Sequence, residues 1–189
     1  MKKYVLLLCL TLFLFGCAQL SQIASYRVEQ GQLEQILWDR INAMDTRVTI
    51  LGMSAPLEVE KLSLEIGPED TNLVRVHTAF TLQISGLGMS YPIAVEMSVE
   101  GAPIYRHDQH AVFVRNLDIL NASIDAGGYR GSLGFLNREV KQILDEIMAE
   151  QPVYRLDADN PRHRMLMRFP ISMEVESGGL RFRAQQNND

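Results

Sequence analysis

Hydrophobic and polar residues follow two different periods along the chain. Between residues 29 and 44, apolar side chains recur at spacings of three and four, which predicts an amphipathic helix. A second stripe of this kind follows Gly127-Gly128 and ends before Pro152, which cannot continue a helix. Its apolar members are Leu133, Leu136, Val140, Ile143, Leu144 and Ile147.

The region between these two helices alternates between apolar and polar residues, as half-buried strands do. The alternation in residues 57–66 changes phase at Glu60-Lys61, which predicts a β-bulge or a bend. Residues 74–84 and 89–99 alternate on either side of Gly86-Leu87-Gly88, a predicted turn, and residues 110–124 form another strand-rich run. Long strands joined by tight turns predict an antiparallel meander.

The last third of the chain contains shorter elements. Residues 153–156 are a short extended segment, and Asp159-Asn160-Pro161 has the residues that start a helix, which we predict to run to about Met167. The Gly178-Gly179 turn lies between two apolar runs and predicts a closing hairpin. The order helix, strands, helix, short helix, strands predicts an α+β domain. In it, a long antiparallel sheet offers its apolar face to two amphipathic helices.

The N-terminus has the pattern of an export signal. Lys2-Lys3 is followed by a mostly apolar run from Tyr4 to Phe15, which is shorter than the roughly 20 residues that a membrane-spanning helix needs. Leu14-Phe15-Gly16-Cys17 resembles the lipobox of bacterial lipoproteins. The resemblance implies attachment of a diacylglyceryl group to Cys17, cleavage after Gly16, and addition of a further acyl chain, such as palmitate, to the new amino terminus. Ala18 is not the aspartate that retains such proteins at the inner membrane, so the expected location is the periplasmic face of the outer membrane.

Composition narrows the classes of protein. Lys and Arg number 18 against 23 Asp and Glu, a net charge of −5, which argues against nucleic acid as a partner. Cys9 leaves with the signal and Cys17 carries lipid, so no disulfide is expected and the hydrophobic core must hold the fold. We expect residues 1–16 to be the signal peptide, 17–25 a lipidated tether, 26–184 a single domain and 185–189 a polar tail.

Motifs for catalysis are missing from the sequence. Gly86-Leu87-Gly88 lacks the third glycine of a dinucleotide-binding loop, and neither Ser90 nor Ser132 sits in a Gly-x-Ser-x-Gly elbow. The pair His107 and His110 is the only local cluster with metal-ligand chemistry, and it falls in a predicted turn, which favours a solvated loop over a metal site. His163, between Arg162 and Arg164, belongs to a basic cluster that fits either a phosphate headgroup contact or a solvated helix face, and the solvated face is favoured. We therefore expect no enzymatic activity, no metal and no cofactor.

Several segments resemble the YceB-like family of outer-membrane lipoproteins. They are residues 25–30 (SYRVEQ), Ala102-Pro103, residues 151–157 (QPVYRLD) and residues 171–180 (ISMEVESGGL). The family carries a domain of unknown function and is similar in architecture to tubular lipid-binding domains (TULIP, BPI-like). The resemblance implies a long curved antiparallel β-sheet wrapped around amphipathic helices as a half-barrel, with an apolar channel that holds acyl chains. It implies no catalytic residues.

The leading hypothesis from the sequence is a lipid-anchored protein that binds a lipid or another long hydrophobic ligand between helix and sheet. Nine methionines fit either an adaptable binding site or an ordinary core. The alternative is a structural or interaction module of the cell envelope with a solid core, and a third class, a hydrolase or metal enzyme, would need a cleft around His107 and His110. The predicted apolar lining is Phe80, Leu82, Val95 and Met97 on the sheet and Leu136, Val140, Ile143, Leu144 and Ile147 on the second helix.

Overall fold

The computed structural model describes residues 25–43, 47–50, 53–86, 89–132 and 137–185. In chain order, the helices are α1 (Gln30–Ala43), a single 3-10 turn (Pro68–Asp70), α2 (Asn137–Glu150) and α3 (Pro161–Leu166). The first five strands are β1 (Ser25–Glu29), β2 (Arg47–Ile50), β3 (Met53–Ile66), β4 (Val74–Gly86) and β5 (Met89–Arg106). The others are β6 (Ala111–Ala126), β7 (Tyr129–Ser132), β8 (Tyr154–Arg155), β9 (Ile171–Glu176) and β10 (Gly179–Ala184).

These strands form two antiparallel sheets. The large sheet follows chain order from β2 to β7, with β8 added to the end of β6, while the small sheet has the order β1-β10-β9. The bulge predicted at Glu60-Lys61 is confirmed, because the pairing of β3 with β4 shifts between Val59 and Lys61. The meander predicted for the middle of the chain is also confirmed, since β3, β4, β5 and β6 pair consecutively and antiparallel.

One buried core joins the two sheets. Phe182, on β10, is fully buried, and its ring contacts those of Tyr105, Tyr154 and Tyr26 at centroid distances of 5.6, 6.0 and 6.4 Å. Apolar side chains of the small sheet share this core with those of β3, β4 and β6, so the small sheet covers part of the inner face of the large sheet. Others in the core are Val28, Leu64, Ile66, Val112, Val114 and Leu180.

Helix α1 lies beside β3. The Leu64 N–H donates to Glu34 Oε1 at 2.7 Å, and the Ile66 N–H donates to Gln30 Oε1 at 3.4 Å. Beyond Pro56, β3 has a strand partner on one side only. Two side chains one helical turn apart therefore satisfy backbone donors that an adjoining strand would otherwise bind.

Helix α2 has the same relation to β6. Leu117 lies between the part of β6 that pairs with β8 and the part that pairs with β7. Its N–H donates to Asp145 Oδ1 at 3.1 Å, and its carbonyl accepts from Lys141 Nζ. Lys141 and Asp145 also pair with each other at 2.9 Å. Helices α1 and α2 thus bind unpaired backbone groups of β3 and β6, which lie toward opposite edges of the large sheet.

The half-barrel expected from the sequence is wrong. The molecule is predominantly β, with two open antiparallel sheets and short helices, rather than one long sheet wrapped around amphipathic helices. Alternation along a strand determines which side chains point inward, but it does not determine how a sheet curves or what covers it. Here a second sheet covers part of the inner face, and α1 and α2 lie beside strands of the large sheet.

Other elements agree with the sequence more closely. The short helix after Asn160 is confirmed as α3, and the Asn160 side chain accepts a hydrogen bond from the Arg162 N–H. The closing hairpin is confirmed as β9 and β10, and the extended segment before it as β8. The strands β1, β2 and β7 were not predicted. Among the described residues, the helices are too short or too polar to span a bilayer.

Candidate functional site: an apolar cavity beside the first helix

A cavity of about 250 Å³ lies between α1 and the large sheet. Leu33, Leu37 and Ile41 form its helical wall. These residues are four apart, so they fall on one face of α1, the face that the sequence periodicity predicts to be apolar. Leu33 is buried, and Leu37 and Ile41 are partly exposed, so the helical wall becomes more open along its length.

Inward-facing residues of three neighbouring strands form the floor of the cavity. Val76 of β4 lies opposite Leu64 of β3 and Val99 of β5, so these three side chains form a continuous row across the sheet. A parallel row lies one alternation away, where Thr78 lies opposite Leu62 and Met97. The cavity is completed by Val114 and Leu117 of β6, Met148 of α2, Val153 and Leu180.

The lining offers very little polar chemistry. Thr78 and Glu100 are the only polar side chains among the residues that line the cavity in the described part of the chain. The Glu100 carboxylate is already bound by Arg75 Nη2, at 3.1 Å, and this hydrogen bond raises the pKa of Arg75. Because a buried water needs two to four polar partners, the cavity favours apolar groups over water.

One cation lies at the rim of the cavity. Arg40 is on α1 between the lining residues Leu37 and Ile41, and its Nη1 donates to the Pro152 carbonyl at 2.6 Å. Pro152 directly precedes Val153, which also lines the cavity. We call this hydrogen bond the rim contact; it joins α1 to the segment between α2 and β8.

The structure brings together only part of the predicted lining. Met97 lines the cavity, but Phe80, Leu82 and Val95 lie farther along β4 and β5, toward their connecting turn, and do not. Cys17 and Leu136 lie outside the described residues. The other four predicted positions are on α2, but their side chains are outside the described part of the molecule: Val140, Ile143, Leu144 and Ile147.

The first helix forms a wall of the described cavity, whereas the helical lining predicted from the sequence was on the second helix. The stripe of Leu33, Leu37 and Ile41 was visible as a period of three to four, as were the alternating Val76 and Val99. Periodicity identifies an inward face, but it does not show which inward faces meet or where they leave space between them.

A second buried feature surrounds His163. This residue is only 4% exposed, so the solvated helix face predicted for it is wrong. Its Nδ1 accepts from the Asp157 N–H at 2.9 Å, which places the ring proton of the neutral form on Nε2, and its ring contacts that of Tyr26 edge-on at 4.4 Å. Burial lowers the pKa of His163, and Nε2 has no hydrogen-bond partner among the described residues. The His163 side chain packs in the core and does not line the cavity.

The histidine pair in the β5–β6 turn has other contacts. His110 Nδ1 lies 3.0 Å from the Tyr105 hydroxyl, and the His107 ring packs edge-on against the Tyr105 ring at 5.0 Å. Over the ranges that the structure describes, no group of three or more His, Cys, Asp or Glu is placed to hold a metal ion. Among the described residues, the apolar cavity is the candidate binding site.

A family model described as "Protein of unknown function (DUF1439)" matches residues 28–179, which include α1, the whole large sheet and α2. The chain belongs to the DUF1439 family. The match covers all the lining residues of the described cavity except Leu180, so nearly the whole cavity lies within the DUF1439 domain. A search of curated proteins gave no match to this DUF1439 chain.

Proposed function

We propose that the protein is a non-enzymatic binding protein that takes up the hydrocarbon part of a lipid, or another long hydrophobic ligand, between α1 and the large sheet. The observation that carries this proposal is the 250 Å³ cavity with an almost entirely apolar lining. Each square ångström of apolar surface that a ligand removes from water contributes about 25 cal/mol. The contacts are non-directional, which suits a hydrocarbon chain.

The size of the cavity limits the ligand. A volume of 250 Å³ is slightly below the roughly 300–1,000 Å³ of typical small-molecule pockets. This favours one acyl chain over a lipid with two chains fully enclosed. The partial exposure of Leu37 and Ile41 favours a ligand whose polar end remains near the rim.

We further propose that the protein is a lipoprotein, held by acyl chains on Cys17 at the periplasmic face of the outer membrane of a Gram-negative bacterium. The lipobox sequence and the finer resemblance to YceB-like lipoproteins support this part. Metabolic labelling with palmitate should mark the wild-type chain and not Cys17→Ser. Fractionation should find the wild type in the outer membrane and Ala18→Asp in the inner membrane. If the wild-type chain is not labelled, the proposed lipid anchor on Cys17 is wrong, and the proposal of ligand binding in the cavity is unaffected.

Native mass spectrometry tests ligand binding directly. The full chain carrying Cys17→Ser should retain a copurified apolar molecule, and Val99→Phe, which fills the floor of the cavity, should lose it and melt at a higher temperature. Leu120→Phe is the matched control because Leu120 is 45% exposed and lies outside the cavity. The proposal fails if the Cys17→Ser chain carries no such molecule and also fails to bind an apolar fluorescent probe.

The second candidate function is an interaction module of the cell envelope. Met165 and Phe169, in and just after α3, are 44% and 53% exposed, and two exposed apolar side chains this near each other in the chain suit a protein contact. This candidate expects Val99→Phe to leave function intact and Met165→Ser with Phe169→Ser to abolish it. Each variant is expressed in a strain that lacks the native protein. The variant that fails to restore the wild-type phenotype shows whether function depends on the cavity or on the exposed pair.

A further inference from the structure

Arg40, on α1, has a neutral partner, unlike several arginines of the two sheets. Arg27, Arg75, Arg181 and Arg183 each pair with at least one glutamate. Within the described ranges, Arg40 has no carboxylate within ion-pairing distance, and its recorded contact is the Pro152 carbonyl. A partly buried guanidinium with a single neutral acceptor, in a chain of net charge −5, can bind an added anion.

The position of Arg40 relates this cation to the cavity. The neighbouring side chains on its helix, Leu37 and Ile41, form the more exposed part of the apolar wall. On the other side of the rim contact, Val153 and Met148 belong to the same lining. A hydrocarbon chain in the cavity with its polar end at this rim would therefore place that end beside a guanidinium.

We propose that Arg40 recognises the carboxylate of a single-chain fatty acid whose hydrocarbon chain occupies the cavity. This inference rests on the proposed binding function and specifies its ligand class. Arginine presents several N–H donors in a planar fork that matches a carboxylate, so one donor can remain on Pro152 while others bind the ligand.

The charge at the rim favours a carboxylate over a phosphate. One guanidinium neutralises one negative charge, and a fatty acid carries one. An alkyl phosphate carries nearly two near neutral pH. Two other cations contact lining residues, Arg75 at Glu100 and Lys141 at the Leu117 carbonyl, but each already pairs with a carboxylate. The charged residue that lines the cavity in the described part of the chain, Glu100, is negative and already paired with Arg75.

Displacement of a fluorescent apolar probe tests the inference, with decanoate, decanol and decyl phosphate as competitors. The protein is the full chain carrying Cys17→Ser, with Arg40→Gln, Arg40→Lys or Arg155→Gln added. Arg155 is the matched control because its Nη1 also donates to a backbone carbonyl, that of Gln109, at 3.1 Å, but it lies outside the cavity. Thermal melts show whether each variant is folded.

Arg40→Gln should weaken decanoate binding about tenfold or more, because a charge-assisted hydrogen bond is lost, and should change decanol binding by less than about twofold. Arg40→Lys should retain part of the preference for decanoate, and Arg155→Gln should leave it unchanged. A merely structural rim contact would weaken both ligands equally, and that result would overturn the assignment. Tighter binding of decyl phosphate than of decanoate would also overturn it.

The test separates this inference from the proposed function. If decanol and decanoate bind the unmodified rim equally well, and Arg40→Gln changes neither, the cavity binds hydrocarbon and the carboxylate assignment is wrong. If neither competitor nor the probe binds, both proposals fail. Replacement of Arg40 by glutamine keeps a donor for Pro152, so a folded variant is expected.

Discussion

The Asp145 carboxylate of α2 binds the backbone N–H of Leu117 at an irregular point of β6. Here Asn116 and Leu117 fall between the pairs that β5 makes at Glu100 and Ala102, and Asn116 has a positive φ of 54°. A bulge leaves backbone groups without a partner in the ladder. The helix supplies that partner through Asp145 and, on the Leu117 carbonyl, through Lys141.

Replacing Asp145 by alanine should lower the free energy of unfolding by about 1 kcal/mol, since the hydrogen bond is charge-assisted but partly exposed. Glu146→Ala, at the exposed neighbouring position, should change it by less than about 0.5 kcal/mol. Urea denaturation measures both. Equal effects of the two variants would show that the contact with Leu117 does not stabilise the fold.

The same pair predicts how acid affects stability. The hydrogen bond from Lys141, followed by that from the Leu117 backbone, holds the pKa of Asp145 below its ordinary value of 3.8. A carboxyl with a lowered pKa stabilises the fold fully above that ordinary value and loses the contribution as pH falls through the lowered one. The difference between wild type and Asp145→Ala should therefore be constant near neutral pH and shrink below pH 3.8.

Glu34 provides the corresponding test at β3. Glu34→Ala removes the acceptor for the Leu64 N–H and should cost about 1–2 kcal/mol of unfolding free energy, because a partly buried donor loses its partner. Glu34→Gln keeps an acceptor oxygen and should recover most of that loss. Gln35→Ala, at an exposed position next to it, is the control. Failure of glutamine to restore stability, with both variants folded, would contradict an edge-protecting role for Glu34.

Gly101 permits a close approach in the floor of the cavity. A Cβ at this position would lie 2.6 Å from Val114 Cγ1 and 2.8 Å from Leu117 Cδ2. Gly101→Ala should therefore lower the unfolding free energy by about 1–3 kcal/mol, as overpacking does. Gly31→Ala, in α1 with no atom within 4 Å of the added carbon, should raise it by about 0.5–1 kcal/mol. Thermal melts of the two alanine variants should shift in opposite directions.

His163 should make stability fall as pH drops below 6.5. Burial lowers the pKa of His163 in the folded protein below its ordinary value of 6.5. Above pH 6.5 the ring is neutral in both states; below it the unfolded chain takes up the proton and the folded protein does not, so stability falls as pH falls. The slope approaches about 1.4 kcal/mol per pH unit for one proton.

The variant His163→Asn tests this, because its side-chain oxygen can still accept from the Asp157 N–H but cannot titrate in this range. The asparagine variant should be less stable at pH 8 and should lack the additional decline below pH 6.5. His77→Asn, at a side chain 39% exposed, should keep that decline. If the unfolding free energies of wild type and His163→Asn fall equally as pH drops below 6.5, the assignment to His163 is wrong.

The sequence predicted most elements of the fold because their signals are local. The phase change at Glu60-Lys61, the cap at Asn160 and the turn at Gly178-Gly179 each follow from a few adjacent residues. The strand β1 was missed because only Tyr26 and Val28 are apolar within it, and its partner is β10, near the other end of the chain. Its backbone pairing is determined by a segment that no local window contains.

Assembly of the elements was harder to predict than their positions. The short helix α3 places His163 inward although both of its neighbours are arginines, and six residues are too few for periodicity to reveal that face. The cavity depends on how Leu37, Val76 and Val99 meet in three dimensions and on the space that remains between them. The cavity is a result of how side chains pack in the finished fold, so it cannot be predicted from the order of residues in one segment.

Pairing between β1 and β10 also sets an order of events during folding. Val28 lies opposite Leu180, so β1 can join its neighbouring strand only when almost the entire domain is available to fold. Helix α1 follows β1 directly, and the Gln30 N–H bonds to the Gly178 carbonyl in the last hairpin. A chain truncated before Gly179 would leave β1 without its strand partner, so pairing of β10 with β1 is the step that completes the small sheet.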